Sequence, residues 1–154
     1  MALPATELRS VLAGYADRGV FRGIDDGKAT GDVVEFNFMW HGRRPLRCVL
    51  AEPAITLRDF LHAMPARSDI CQDLRDFVKG LNDPALPEHR GVDPSRASVT
   101  TTVRNQRLSL VVTTIDGDYV YATRKLVFAA HEIWLRLQSE WVHYVWEEFG
   151  TSME

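Results

Sequence analysis

The sequence predicts an α+β fold: an antiparallel β-sheet in two hairpin-joined strand groups, with a middle helix, an N-terminal helix and a long C-terminal helix packed on it. Three observations carry this reading. Strand-like runs come in groups joined by short turns instead of alternating singly with helices, which favours an antiparallel sheet over a doubly wound parallel one. Apolar and polar residues alternate clearly from Val33 to Trp40. The stretch from Arg124 to Phe149 has no Gly or Pro and holds three of the four tryptophans. As a continuous helix it would run roughly 39 Å at about 1.5 Å per residue, enough to cross a domain of this size.

In chain order, Leu8, Val11, Leu12 and Tyr15 repeat at helical spacing and predict a first helix over Thr6 to Ala16, with Thr6 as cap and Gly19 near its end. Gly19 to Ile24 reads as extended, and DDGKATGD as a polar turn. Val34, Phe36, Phe38 and Trp40 then alternate with Glu35, Asn37 and Met39. HGRRP turns the chain, and Leu46, Cys48 and Leu50 continue the inward row. Ile55 to Leu61 reads as a short strand or an irregular edge. Asp69 to Leu81 is helical, with Ile70, Leu74, Phe77, Val78 and Leu81 on one face and Ser68 or Asp69 as cap. The second group is a predicted meander: Ala97–Arg104, a turn at Asn105-Gln106, Arg107–Ile115, a hairpin signal at Asp116-Gly117, and a third strand over Asp118–Ala122.

The final helix is wider on its apolar side than a sheet requires. Leu126, Ala130, Ile133, Leu137, Trp141 and Tyr144 share one face, widened by Val127, Trp134 and Val145. Phe128, Leu135, Val142 and Phe149 form a second series, with Trp146 beside it. Together the two sets cover roughly 220° of the helix, against a little over 100° for a helix lying on one sheet. The surplus needs a second partner: another helix of this chain, or the same helix of a second copy. Phe128, Leu135, Val142 and Trp146 are therefore the candidate partner-binding residues.

The chain of 154 residues, 45% hydrophobic and 25% charged, is expected to form a single domain over 1–154. No apolar run reaches the roughly 18 residues of a membrane span, and the N-terminus lacks the pattern of a signal peptide. A cytoplasmic protein without membrane partners is the expectation. A net charge of −3 argues against a general nucleic-acid binder. The two cysteines, Cys48 and Cys71, sit in apolar patterns without metal-site spacing. Arg outnumbers Lys by 15 to 3. Arg43, Arg44 and Arg47 fall on the first hairpin, and Arg104, Arg107, Arg124 and Lys125 near the ends of the second group.

At the level of element order the chain resembles the secretion-chaperone-like fold, shared by type III secretion chaperones and YbjN-type proteins. Those have a helix, three strands, a middle helix, further strands and a long final helix. The resemblance covers nearly the whole chain in order only, with no shared motif. It implies a dimeric protein that binds other proteins and has no chemistry of its own.

Catalytic and cofactor patterns are incomplete. Gly23 to Thr30 looks like a phosphate loop, but its glycine spacing is one short, Ala29 replaces the Mg²⁺-binding hydroxyl, and Asp25 and Asp26 would repel phosphate. His131-Glu132 begins like a zinc-binding helix, yet Leu135 stands where the second His belongs. No nucleophile elbow is present. The most site-like stretch is the loop Leu86–Pro94, where His89 and Arg90 stand among prolines, a rigid frame suited to an anion or a proton transfer. The leading expectation is a non-enzymatic protein-interaction or chaperone-like domain acting as a dimer, without cofactor or metal. The alternative is a small enzyme or anion-binding domain using His89 and Arg90.

Overall fold

Side chains at Phe36, Phe38 and Trp40 are buried while Glu35, Asn37 and Met39 between them are not, so the period-two pattern does set one strand face inward. The computed structural model describes residues 3–40 and 44–150. Six strands form one sheet: β1 (Lys28–Thr30), β2 (Val33–Trp40), β3 (Arg44–Ala51), β4 (Ala54–Leu61), β5 (Ala97–Arg104) and β6 (Arg107–Thr114). Their order is β1-β2-β3-β4-β6-β5, and every neighbouring pair is antiparallel. The helices are α1 (Leu3–Asp17), α2 (Asp69–Gly80), α3 (Tyr119–Glu140) and α4 (Val142–Phe149). The predicted α+β class holds, with both strand groups merged through the β4–β6 pairing.

The inner face of the sheet is continuous. Phe36, Cys48, Leu57, Leu110 and Val99 each lie at or below 2% exposure on successive strands. Against them α3 sets Leu126, Ala130, Ile133 and Leu137, all buried, and α1 adds Ala5, Leu8 and Leu12. Phe21 stacks on Phe38 at 4.3 Å and meets Trp40 edge-on at 4.9 Å. On the outer face Asn37, Arg47, Arg58, Thr100 and Thr102 stay half-exposed or exposed. The helices thus form a single layer on one side.

Local chemistry explains the boundaries. The Ser68 hydroxyl caps α2 by accepting from the Cys71 N–H at 3.3 Å. After α2, the Asn82 side chain accepts from the Val99 N–H at 2.9 Å and donates to the Val99 carbonyl at 2.8 Å, which ties the helix end to the edge strand β5. Asn105 and Gln106 both adopt positive φ, 52° and 60°, the two-residue turn whose twist suits a hairpin.

Several expectations are corrected. Asp118–Ala122 is not a strand: the Asp118 carboxylate accepts from the Tyr121 N–H at 3.0 Å and caps α3, which therefore starts at Tyr119. Asp116-Gly117 consequently turns a strand into a helix instead of closing a hairpin. Arg96 fixes this junction by donating to Asp116 at 2.8 Å and Asp118 at 2.6 Å, with its guanidinium 3.9 Å from the Tyr121 ring centroid. Ile55–Leu61 belongs to β4, an interior strand and not an edge. Within the polar turn, Lys28–Thr30 forms the short edge strand β1. The first helix begins at Leu3, ahead of Thr6. The final helix is not continuous: Trp141, at φ −130° and ψ 49°, separates α3 from α4. Arg43 of the first hairpin lies outside the described residues.

Candidate interaction surface

The faces of α3 follow from its 3.6-residue period. Leu126, Ala130, Ile133 and Leu137 meet the sheet, Val127 and Trp134 turn toward the side of α1, and Arg136 toward α2. Phe128 and Leu135 are left on the face directed away from the sheet. In α4, Val145 is buried while Val142 and Trp146 point outward.

The four candidate partner-binding residues have different fates. Phe128 is half-buried, with the Lys125 ammonium 5.0 Å from its ring centroid. Leu135, Val142 and Trp146 are 45%, 55% and 56% exposed. Phe149, last of the seven-residue series, turns back and packs edge-on against Trp134 at 4.8 Å. The structure therefore covers both ends of the second series within the chain and leaves its centre bare.

The bare residues sit on a firmly anchored frame. Arg136 grips the Asp73 carboxylate through two bonds, 3.1 and 2.7 Å, and the Trp141 indole N–H donates to the same carboxylate at 2.8 Å. These bonds pin the α3–α4 corner to α2. The Tyr144 hydroxyl donates to the His62 carbonyl beyond β4. Hydrogen bonds from Arg136, opposed by partial desolvation and helped by Trp141, hold the Asp73 carboxyl below the usual carboxylate range. The exposure of Val142 and Trp146 thus comes from a held geometry and not from a loose tail.

Beside this strip lies a groove of about 610 Å³. Its walls are Tyr15, Gly19 and Val20 at and just past the end of α1, Arg22 beside β2, Met39 and Trp40 of β2, and Val127, Phe128, His131 and Trp134 of α3. It exists because α1 is 15 residues long and α3 is 22: α1 stops short and leaves the second half of that flank uncovered. Sequence reasoning passed over most of these residues, since the groove is assembled from three distant segments. The one available signal was the excess apolar width of the last helix, to which Val127 and Trp134 already belonged.

The alternative site residues are placed differently. His89 and Arg90 lie exposed in a short 3₁₀ turn, Glu88–Arg90. Neither lines the nearby cleft of about 140 Å³, whose wall residues include Asp83, Glu88 and Asp93. Lys125 reaches under this loop, donating to the Glu88 carbonyl at 2.6 Å. Hydrogen bonds from Ser95 hold the Asp93 carboxyl low, so it keeps its negative charge.

Both cysteines are sequestered. Burial pushes the Cys48 thiol up to about 12, far from the thiolate a nucleophile needs, and Cys71 is also buried. Among the described residues no group of three or more His, Cys, Asp or Glu is arranged to hold a metal ion, and no helix is long and apolar enough to cross a membrane. In the false phosphate loop, Asp25 itself accepts from the N–H groups of Gly27 and Asn37, at 3.1 and 3.2 Å, so a carboxylate occupies the backbone donors. No family model, no curated protein and no solved structure matches the chain.

Proposed function

We propose that this protein is a non-enzymatic protein-binding domain of chaperone-like type, and that the outward face of α3 and α4 pairs with a second copy of the chain. The observation that carries this reading is the exposure of Leu135, Val142 and Trp146 at 45–56% on a corner held by the Asp73–Arg136–Trp141 bonds. Holding large apolar side chains in water costs free energy unless a partner covers them. The resemblance in element order to secretion-chaperone-like proteins points the same way.

A second copy suits the distribution of charge. Exposed Arg124 lies near the start of α3, whereas exposed Glu147 lies on α4 next to Trp146. A two-fold antiparallel pairing sets each basic end against the partner's acidic end, as an isologous interface requires. The same pairing carries each Trp146 toward the Phe128 end of the other copy, where the groove opens. Three side chains alone fall short of the roughly 800 Å² per partner that a stable interface covers. The groove supplies further apolar surface, and one inserted Trp contributes about 200 Å² of it.

Sedimentation equilibrium over micromolar concentrations tests this reading. The expected particle has twice the 17.5 kDa mass of the chain. A strictly monomeric particle throughout that range contradicts the self-pairing.

A further inference from the structure

The outer face of the sheet carries a cluster of arginines, of which only Arg22 also borders the groove beside α3. Arg47 on β3 lies directly opposite Arg58 on β4, and Arg104 on β5 directly opposite Arg107 on β6. Arg22 joins Met39 of β2 through two backbone hydrogen bonds of 2.9 Å, which sets both side chains on this same face. Arg22, Arg104 and Arg107 fall at one end of the sheet, where β2 and β5 finish and β6 begins, and Arg47 and Arg58 stand in the middle of β3 and β4 on the same face. Like charges directly opposite one another destabilise a strand pair, and here two such pairs adjoin in a chain whose net charge is −3.

Local carboxylates neutralise only part of this charge. Asp59 receives Arg47 at 3.0 Å and Arg107 at 3.8 Å, and Glu35 stands 4.0 Å from Arg47. At the neighbouring edge Asp25 is engaged with Asn37. Arg22, Arg58 and Arg104 are exposed and have no ion pair with any described residue. Asp59 itself sits at φ 52°, in the left-handed region, within the irregularity between Leu57 and Leu61 where β4 pairs with β6. Its N–H donates to the Ser109 hydroxyl at 2.9 Å. Backbone strain of this kind, set between two guanidinium groups, is a common mark of a functional surface.

We propose that this part of the outer sheet face binds an extended acidic peptide segment. The guanidinium fork matches a carboxylate with two parallel hydrogen bonds. Arg47, Arg58, Arg107 and Arg104 stand on four successive strands, β3, β4, β6 and β5, and so span about 14 Å at roughly 4.8 Å per strand. Three same-side carboxylates of an extended peptide, at roughly 7 Å intervals, cover that same length. Nucleic acid fits less well, because base stacking calls for exposed aromatics and the intervening residues on this face are Asn37, Met39, Thr102 and Ser109.

The test is fluorescence anisotropy with a labelled hexapeptide of alternating Glu and Ser, at low and at near-physiological salt. The wild-type chain is expected to bind it, more weakly as salt rises. The double reversal Arg58→Glu with Arg104→Glu is expected to lose at least about tenfold in affinity, a change of about 1.4 kcal/mol. Its Tm should equal or exceed that of the wild type, because both like-charged pairs are relieved. Should the double variant fail to fold, Arg58→Gln alone is expected to weaken binding without lowering Tm. No binding by the wild type, undiminished binding by the folded variant, or stronger binding of a DNA duplex of equal charge each overturns the proposal. Arg58 and Arg104, the two residues varied, lie neither on α3 or α4 nor among the residues that line the groove, so the outcome is independent of self-association.

Discussion

At the scale of single residues, the fold depends on a few close approaches and shared polar atoms. Gly27 has φ +88°, and a Cβ there would lie 2.5 Å from the Phe36 ring. Phe36 is fully buried and has nowhere to retreat. Gly27→Ala is therefore expected to destabilise the protein by about 2 kcal/mol, measured as a shift in urea midpoint with unchanged m-value. Asp73 is a second sensitive point, with one carboxylate serving both Arg136 and Trp141. Its pKa is lowered in the folded state, so the unfolded chain takes up a proton more readily. Its contribution is complete above the ordinary value of 3.8 and disappears as pH falls through the lowered folded value. Acid titration of wild type and Asp73→Asn is expected to show a loss of stability below about pH 4 that is shallower in the variant. Equal acid slopes would remove Asp73 from the account.

At the scale of elements, the corner between α3 and α4 decides what the surface offers. A straight helix would have carried Val142 and Trp146 onward in line. The corner instead brings Val145 into the core and Phe149 against Trp134. Trp141→Phe keeps the ring and deletes the indole N–H that reaches Asp73. Amide exchange in residues 142–149 is expected to accelerate while the sheet amides keep their protection, because a lost hydrogen bond of about 1 kcal/mol loosens the corner and not the core. Unaltered exchange in α4 would show that the corner is held by packing alone. The position of this corner was not legible in the sequence: Arg124 to Phe149 contains no Gly or Pro, and the contact made at the corner, from Trp141 to Asp73 of α2, joins residues far apart in the chain. The Asp118 cap was hidden for a related reason, since Asp-Gly reads locally as a hairpin turn, and the ion pairs that Arg96, in the turn before β5, makes with Asp116 and Asp118 come from a distant stretch of the sequence. By contrast β2, α2 with its Ser68 cap and the Asn105-Gln106 turn were legible, because periodicity and turn chemistry there are local.

At the scale of the whole molecule, one helical layer lies on one sheet face, which leaves the outer sheet face and the outward side of α3 and α4 exposed. The surplus apolar width of the last helix was visible in its residue spacing. Its division into covered ends and a bare centre was not, because Phe128 and Phe149 find their neighbours only after the chain has folded. The arginine face was partly visible as clusters near the strand ends. The Arg104–Arg107 pair follows from the two-residue turn between them, whereas the Arg47–Arg58 pair needed the register of β3 on β4.

The central claim is that Leu135, Val142 and Trp146 form a subunit seam. The most direct measurement is sedimentation of wild type and Val142→Asp side by side, with circular dichroism and Tm recorded on the same samples. Val142 is 55% exposed within one chain, so the new carboxylate remains solvated in the monomer and is buried without a partner only in the dimer. The account predicts a wild-type dimer and a folded Val142→Asp monomer of similar helical content. A wild-type monomer, or a variant that stays dimeric at the same concentration, would contradict it.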